Sequence, residues 1–251
     1  MSSTTPVRSF DAVSDVAVMA ERFAREPAFA DSTDWSRLEI PRVLPFRDGF
    51  VVQYVAPKST GGQTMVWGEL GVTSGKPFDS NRCVRFEDLD LSVPVFPHDP
   101  DLGDLDRLFD RAGGERLAEM LGWGVGADPQ CTVLAYRLRR RCVVRWEAKS
   151  GDAVAVKMVR RRKLASLVAR HALAVAASGR SATLAVPRIL AVDEGVGFCV
   201  MEWMPGTTLH DLGDDPSAVE AHRLAGASLC DLHRGEADGL DTVDHVGEMT
   251  G

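Results

Sequence analysis

The stretch from Val154 to Gly206 constrains the fold more than any other part of the chain. Its pieces are a run ending in Lys157, a segment of helical pattern and two further apolar runs, the last ending in a Pro-Gly turn: Val154–Lys157, Lys163–Ala177, Val186–Asp193 and Gly197–Gly206. Short apolar runs bounded by turn residues predict strands, and apolar residues at helical spacing predict a helix. We therefore expect strand, helix, strand and strand, in that order.

A second strand pattern precedes this stretch. The apolar runs Thr132–Tyr136 and Cys142–Glu147 flank three consecutive arginines, Arg139–Arg141, and the turn residues Lys149–Asp152 lead on towards Lys157. The two runs read as paired strands. The arginine turn between them is interpreted in two ways, as a solvated basic turn or as side chains that meet an anion.

Residues 1–125 carry a mixed pattern and no motif to which we can assign chemistry. We expect two helical segments, the second broken by a pair of glycines, and one β-hairpin. The segments are Asp11–Arg25 and Leu102–Leu121, with the break at Gly113–Gly114, and the hairpin strands Phe50–Val55 and Thr64–Glu69 around Ser59–Gly62. We therefore expect this part to form a separate N-terminal module.

Composition excludes several classes of protein. The five cysteines form no CxxC pair, so neither a zinc site nor a disulfide framework is indicated. The apolar runs are too short for a membrane helix and the start lacks the apolar core of a signal peptide, which predicts a cytoplasmic protein and no membrane partner. The net charge is −7, yet residues 131–190 hold 14 Lys and Arg against two acids, Glu147 and Asp152. Such a block indicates an anion site or a nucleic-acid surface.

The ordered set of motifs resembles the aminoglycoside phosphotransferase and choline kinase-like family. The motifs are Arg141–Trp146, Val156–Lys157, Val186–Asp193, Val200–Gly206 and the helical segment Leu224–His233. The resemblance covers about residues 128–240. It implies ATP and Mg²⁺ as cofactors, and phosphoryl transfer to the hydroxyl of a small-molecule acceptor.

The resemblance also implies roles for five residues. Lys157 would contact the nucleotide phosphates, Met201 would line the back of the adenine pocket, and the Glu202 carbonyl and Met204 amide would face the base edge, with Trp203 between them. A lysine at a strand end and a buried strand ending in a Pro-Gly turn are the alternative readings. We expect a nucleotide to occupy the basic block, and no nucleic acid as partner.

Two departures from the family pattern are visible. No Asp or Glu occurs between Asp152 and Asp193, and His171 stands where the family supplies a glutamate that pairs with the lysine. The family's His-Gly-Asp…Asn loop is also missing, because His233–Glu236 and His245–Glu248 lack the Asp and the Asn. We therefore predict no catalytic residue and no metal ligand in this chain. We expect it to be the N-terminal part of a longer enzyme and inactive alone.

The predicted fold class is α+β. Residues 1–125 form a mixed α/β module, residues 126–205 a protein-kinase-like small lobe with an antiparallel sheet and a helix, and residues 206–251 the first helices of a truncated large lobe. A non-catalytic, pseudokinase-type module that binds a nucleotide or a partner protein is the alternative function. A nucleic-acid binder is the second alternative, and the acceptor cannot be read from the sequence.

Overall fold

The computed structural model describes residues 6–123, 130–179 and 184–233. These residues form two compact units, each built around a five-stranded antiparallel sheet. The first contains residues 6–106 and Arg137–Arg139, and the second contains residues 107–136 and those from Arg140 onwards. The α+β class is confirmed. The domain boundaries and the lobe arrangement predicted from the sequence stay predictions.

The first unit opens with two helices, α1 (Pro6–Ser14) and α2 (Val16–Arg25). The sequence predicted a single helix over Asp11–Arg25, and this was wrong at Asp15. The Asp15 carboxylate accepts hydrogen bonds from the amides of Ala17 and Val18, at 2.9 and 3.2 Å. An aspartate that caps a new helix in this way ends the preceding one.

The sheet of the first unit packs its core against these helices. Its strands are β1 (Glu39–Phe46), β2 (Gly49–Pro57), β3 (Gln63–Leu70), β4 (Cys83–Phe86) and β5 (Leu91–Pro94), in the order β1-β2-β3-β5-β4. The predicted hairpin is β2–β3 and is confirmed, with Val55 opposite Met65. Phe23 of α2 lies at the centre of the core, with its ring 5.0 Å from the rings of both Trp35 and Tyr54.

The second unit repeats this strand order with a helix inserted. Its elements are α3 (Arg111–Met120), β6 (Gln130–Arg137), β7 (Arg141–Glu147), β8 (Ala153–Val159), α4 (Arg161–Ser178), β9 (Ile189–Asp193), β10 (Phe198–Glu202), α5 (Leu209–Leu212) and α6 (Ala218–His233). The strand order is β6-β7-β8-β10-β9. The expected strand, helix, strand and strand are therefore all present.

The two faces of the second sheet differ in burial. Cys142, Val144, Val156, Met158 and Val200 share one face and are fully buried. On that face the Trp146 ring lies close enough to Gly114 of α3 that an added Cβ would meet it at 3.2 Å. The other face carries Lys157 between half-buried residues of β7 and β8, with the fully buried Cys199 opposite it on β10.

None of the helices in the described ranges is long and apolar enough to cross a bilayer.

Candidate functional site

Lys157 lies in β8, the middle strand of the second sheet. Directly opposed residues in antiparallel strands share a face. Lys157 is opposite Val143 of β7 and Cys199 of β10, and two residues away Ala155 is opposite Arg145 and Met201. The register thus brings two of the predicted site residues, Lys157 and Met201, to one half-buried face.

The acid partner that the family supplies for this lysine is not found in the described parts of the chain. Within them no carboxylate lies within ion-pair distance of the Lys157 ammonium group. His171, which occupies the expected place on α4, is engaged elsewhere, because its Nε2 lies 2.5 Å from the carbonyl oxygen of Pro187. His171 therefore does not replace the glutamate.

Cys199 of β10 is the direct neighbour of Lys157 in the sheet. Burial raises the pKa of the Cys199 thiol, and the nearby positive charge of Lys157 opposes this rise. The thiol lies 3.8 Å from the Lys157 carbonyl oxygen and its residue is fully buried. A neutral, apolar neighbour of this kind leaves the charge of Lys157 uncompensated from that side.

Glu202 ties the end of β10 to the start of β9. Its amide donates to the Arg188 carbonyl at 3.0 Å, and its carboxylate accepts from the Arg188 amide at 2.9 Å and from the guanidinium Nε at 2.8 Å. The Arg188 guanidinium lowers the pKa of Glu202. The Glu202 side chain and amide thus contact Arg188, and the predicted role falls to the Glu202 carbonyl oxygen.

Trp203 and Met204 follow β10 directly and differ in their surroundings. The guanidinium carbon of Arg145 lies 4.7 Å from the centre of the Trp203 ring, a cation–π contact, and Arg145 also pairs with Glu147 at 2.9 Å. Met204 is 45% exposed. The segment after β10 is therefore held on its β7 side and open at Met204.

The arginine turn is divided between two environments. The turn between β6 and β7 consists of Leu138, Arg139 and Arg140, because Arg141 already belongs to β7. Arg139 is only 2% exposed and contacts residues of the first unit, whereas Arg140 and Arg141 are exposed. The interpretation of all three as a solvated basic turn is therefore wrong for Arg139.

Part of the chain matches a known protein family. Residues 137–247 match the phosphotransferase enzyme family, APH. The match starts at the last residue of β6 and contains β7 to β10, α4, α5 and α6. This confirms the resemblance stated from the motifs, and it supports a transferase of the kinase type.

The other two comparisons add no relative. No curated protein and no solved structure matches this chain. The likeness to known proteins therefore rests on the family match over residues 137–247, and residues 1–136 lie outside that match.

Phosphotransferases of the matched family generally use ATP and Mg²⁺. Within the described ranges there is no group of three or more His, Cys, Asp or Glu side chains that could hold a metal ion. His233–Glu236 and His245–Glu248, which resemble the family's loop only in part, lie outside the described side chains.

Sequence reasoning missed the residues that contact Arg139 and Trp203. Glu69 and Asp99 contact Arg139, and Arg145 stacks on Trp203. A signal for Glu69 exists in the sequence, since it ends an apolar strand where a buried acid needs a cation. No comparable signal marks Asp99 or Arg145, because Arg139 and Trp203, which they contact, are distant from them in sequence.

Proposed function

We propose that the second unit binds ATP and that the protein is the nucleotide-binding part of a phosphotransferase acting on a hydroxyl of a small molecule. The observation that carries the proposal is the shared face of Lys157, Ala155 and Met201, which leads into the turn at Pro205. The family match over residues 137–247 supports the same reaction class.

Lys157 is suited to binding the nucleotide phosphates because it is a cation on a strand held between two neighbouring strands, β7 and β10. Catalysis of phosphoryl transfer depends mainly on fixed positive charge near the phosphate oxygens. Since no carboxylate pairs with Lys157 within the described ranges, its charge is available to an anion.

The base would lie against Met201 and the segment Glu202–Met204. Hydrogen bonding to adenine in such a segment uses backbone groups, so the engagement of the Glu202 side chain with Arg188 leaves this role intact. The stack of Arg145 on Trp203 would hold the segment in place.

The 251-residue chain is expected to bind the nucleotide without transferring phosphate. Transfer requires a carboxylate near the acceptor hydroxyl and ligands for Mg²⁺, and the chain has no His-Gly-Asp…Asn sequence. The alternative function, a non-catalytic module that binds a nucleotide or a partner protein, is favoured by the acid missing beside Lys157.

Calorimetric titration of the chain with Mg-ATP tests the proposal. We expect Lys157→Ala to weaken binding about tenfold or more, because one charge-assisted contact to phosphate contributes about 1.5–3 kcal/mol. Lys149→Ala is the matched control, since Lys149 is an exposed lysine in the turn before β8 and removes the same charge.

Unchanged affinity in Lys157→Ala, or an equal loss in both variants, would contradict the assignment of Lys157. Absence of Mg-ATP binding by the unsubstituted chain would overturn nucleotide binding and favour a partner-binding module. Phosphate transfer by the chain to any alcohol would overturn the expectation that it is inactive alone.

A further inference from the structure

Arg139 lies in a buried cluster of acids within the first unit. Its guanidinium group pairs with both carboxylate oxygens of Glu69, with Nη2 to Oε2 at 3.1 Å, and Nη2 also donates to the Lys76 carbonyl at 2.8 Å. Nη1 lies 3.4 Å from Asp101, and the Phe78 ring centre is 4.6 Å from the guanidinium carbon. Every side of the guanidinium group is thus occupied by protein.

The backbone of Arg139 is held as firmly as its side chain. Its φ angle is +59°, in the left-handed region that a residue with a Cβ adopts at a cost of about 1 kcal/mol or more. The amide of Arg139 donates to the Asp99 carboxylate at 2.7 Å, and Asp99 is 2% exposed. Asp99 therefore stabilises the turn in this conformation.

The pair of Arg139 and Glu69 is too deeply buried to open for a ligand. Glu69 is 3% exposed, and burial raises the pKa of its carboxyl group although Arg139 opposes the rise. Removing one partner from such a pair leaves an uncompensated charge in the interior, which is strongly destabilising. Arg139 is therefore a fixed part of the first unit, and an anion near the turn would meet Arg140 and Arg141.

We propose that Glu69 and Asp99 are positioning residues for the phosphate-binding turn of the second sheet. They fix Arg139, and through the chain they fix the adjacent Arg140 and Arg141, which supply positive charge to the nucleotide phosphates. The inference rests on the proposed function, which places the phosphates at Lys157. Arg141 begins β7 and is opposite Val159, two residues along β8 from Lys157 and on the same face, so the turn borders the face that carries the lysine. The proposal gives the first unit a role in nucleotide binding through residues that do not touch the nucleotide.

The test compares Mg-ATP with adenosine, which has the base and no phosphate, on the 251-residue chain. Calorimetry measures both affinities, and hydrogen exchange measures protection of the peptide that contains residues 136–141. The variants are Glu69→Gln and Asp99→Asn, which keep shape and change charge. Glu115→Gln is the control, since Glu115 forms an exposed pair with Arg111 at 2.8 Å.

We expect both test variants to speed exchange in residues 136–141 and to weaken Mg-ATP binding about tenfold, because misplaced charges lose much of their interaction with phosphate. Adenosine affinity should stay within about twofold of the unsubstituted chain and the control should match it throughout.

Three outcomes would overturn the proposal. They are unchanged Mg-ATP affinity in folded Glu69→Gln or Asp99→Asn, equal loss of Mg-ATP and adenosine, or unchanged exchange of the turn. If Glu69→Gln does not fold, Asp99→Asn decides alone. If the unsubstituted chain binds neither ligand, the proposed function fails, and this result differs from the loss of Mg-ATP binding alone.

Discussion

At the scale of single residues, the most informative contrast is between the arginines that the fold pairs with acids and the half-buried Lys157. Arg139, Arg145 and Arg188 each pair with a glutamate in this structure. Lys157 has no such partner within the described ranges, although it is half-buried in the middle of a sheet. A half-buried cation is expected to attract an anion, and the phosphates of the proposed nucleotide fit that requirement.

The cysteines provide a residue-scale prediction about burial. Burial raises the pKa of the Cys83 and Cys131 thiols to about 11, and Cys142 and Cys199 are fully buried, whereas Cys230 is exposed. Because the thiolate is the form that reacts, iodoacetamide at about pH 8 should modify Cys230 first. Mass spectrometry of peptides over time measures the order.

Cys142 and Cys199 should react only when the protein unfolds. Cys83 and Cys131 should react on unfolding and, in the folded protein, as the pH rises towards 11. Denatured protein is the control, in which all five cysteines should react. Modification of Cys199 as fast as Cys230 in the folded protein would contradict the burial of β10.

Residue types predicted that Lys157 lies on a strand, although β8 continues beyond it to Val159, and they did not predict the burial of Arg139. An apolar run ending in a lysine is visible in the sequence, and so is the lack of acids between Asp152 and Asp193. Three arginines at a turn predict exposure, because arginine is seldom fully buried unless it is paired. The pair that reverses this expectation joins residues 70 positions apart, and single-sequence patterns carry no information on such contacts.

At the scale of elements, α3 departs from the sequence pattern. The sequence predicted a helix over Leu102–Leu121 broken at Gly113–Gly114, and this was wrong, since α3 runs through both glycines. Asp110 caps the helix, with its carboxylate accepting from the Gly113 amide at 2.6 Å. The glycines permit close approach: Gly114 lies against Trp146, and a Cβ at Gly113 would overlap the Arg107 carbonyl oxygen at 1.5 Å.

Gly113→Ala should therefore destabilise the protein by about 1–3 kcal/mol, because the overlap with backbone outweighs the better helix propensity of alanine. Gly179→Ala at the end of α4 is the control, as its nearest neighbour would be 3.6 Å away and its φ angle is −62°. Urea unfolding followed by circular dichroism measures both. Equal stability of the two variants would contradict the placement of α3.

The strands were more predictable than the helices. Strands β2, β3, β7, β8 and β10 all coincide with apolar runs between turn residues, because alternation and turn chemistry are local properties. The two errors in the N-terminal helices depend on Asp15 and on the contact of Gly114 with Trp146. The second of these is a tertiary contact, which explains why the pattern failed there.

At the scale of the whole molecule, the basic block is prominent in the sequence, and ion pairs in the structure neutralise part of its charge. The chain carries −7 overall, and the basic block at residues 131–190 stands against that background. Three of its arginines, Arg139, Arg145 and Arg188, are paired with Glu69, Glu147 and Glu202. This pairing leaves fewer free charges for a polyanion than the sequence suggests.

We accordingly expect weak binding of duplex DNA and of RNA. Fluorescence anisotropy over a series of salt concentrations measures it. Binding as tight as that of a specific protein–nucleic-acid complex, with an affinity that falls steeply as the salt concentration rises, would favour the nucleic-acid alternative. Each phosphate contact adds to the salt dependence of the affinity. Mg-ATP as competitor distinguishes a shared site from a separate one.

The left-handed backbone of Arg139 has a consequence for how the three arginines can vary. Glycine or asparagine would suit the backbone at this position, and only arginine suits the acids around it. No common residue satisfies both demands, whereas Arg140 and Arg141 face no such conflict. The three consecutive arginines thus comprise one position constrained by both its backbone and its buried side chain, and two exposed positions without these constraints.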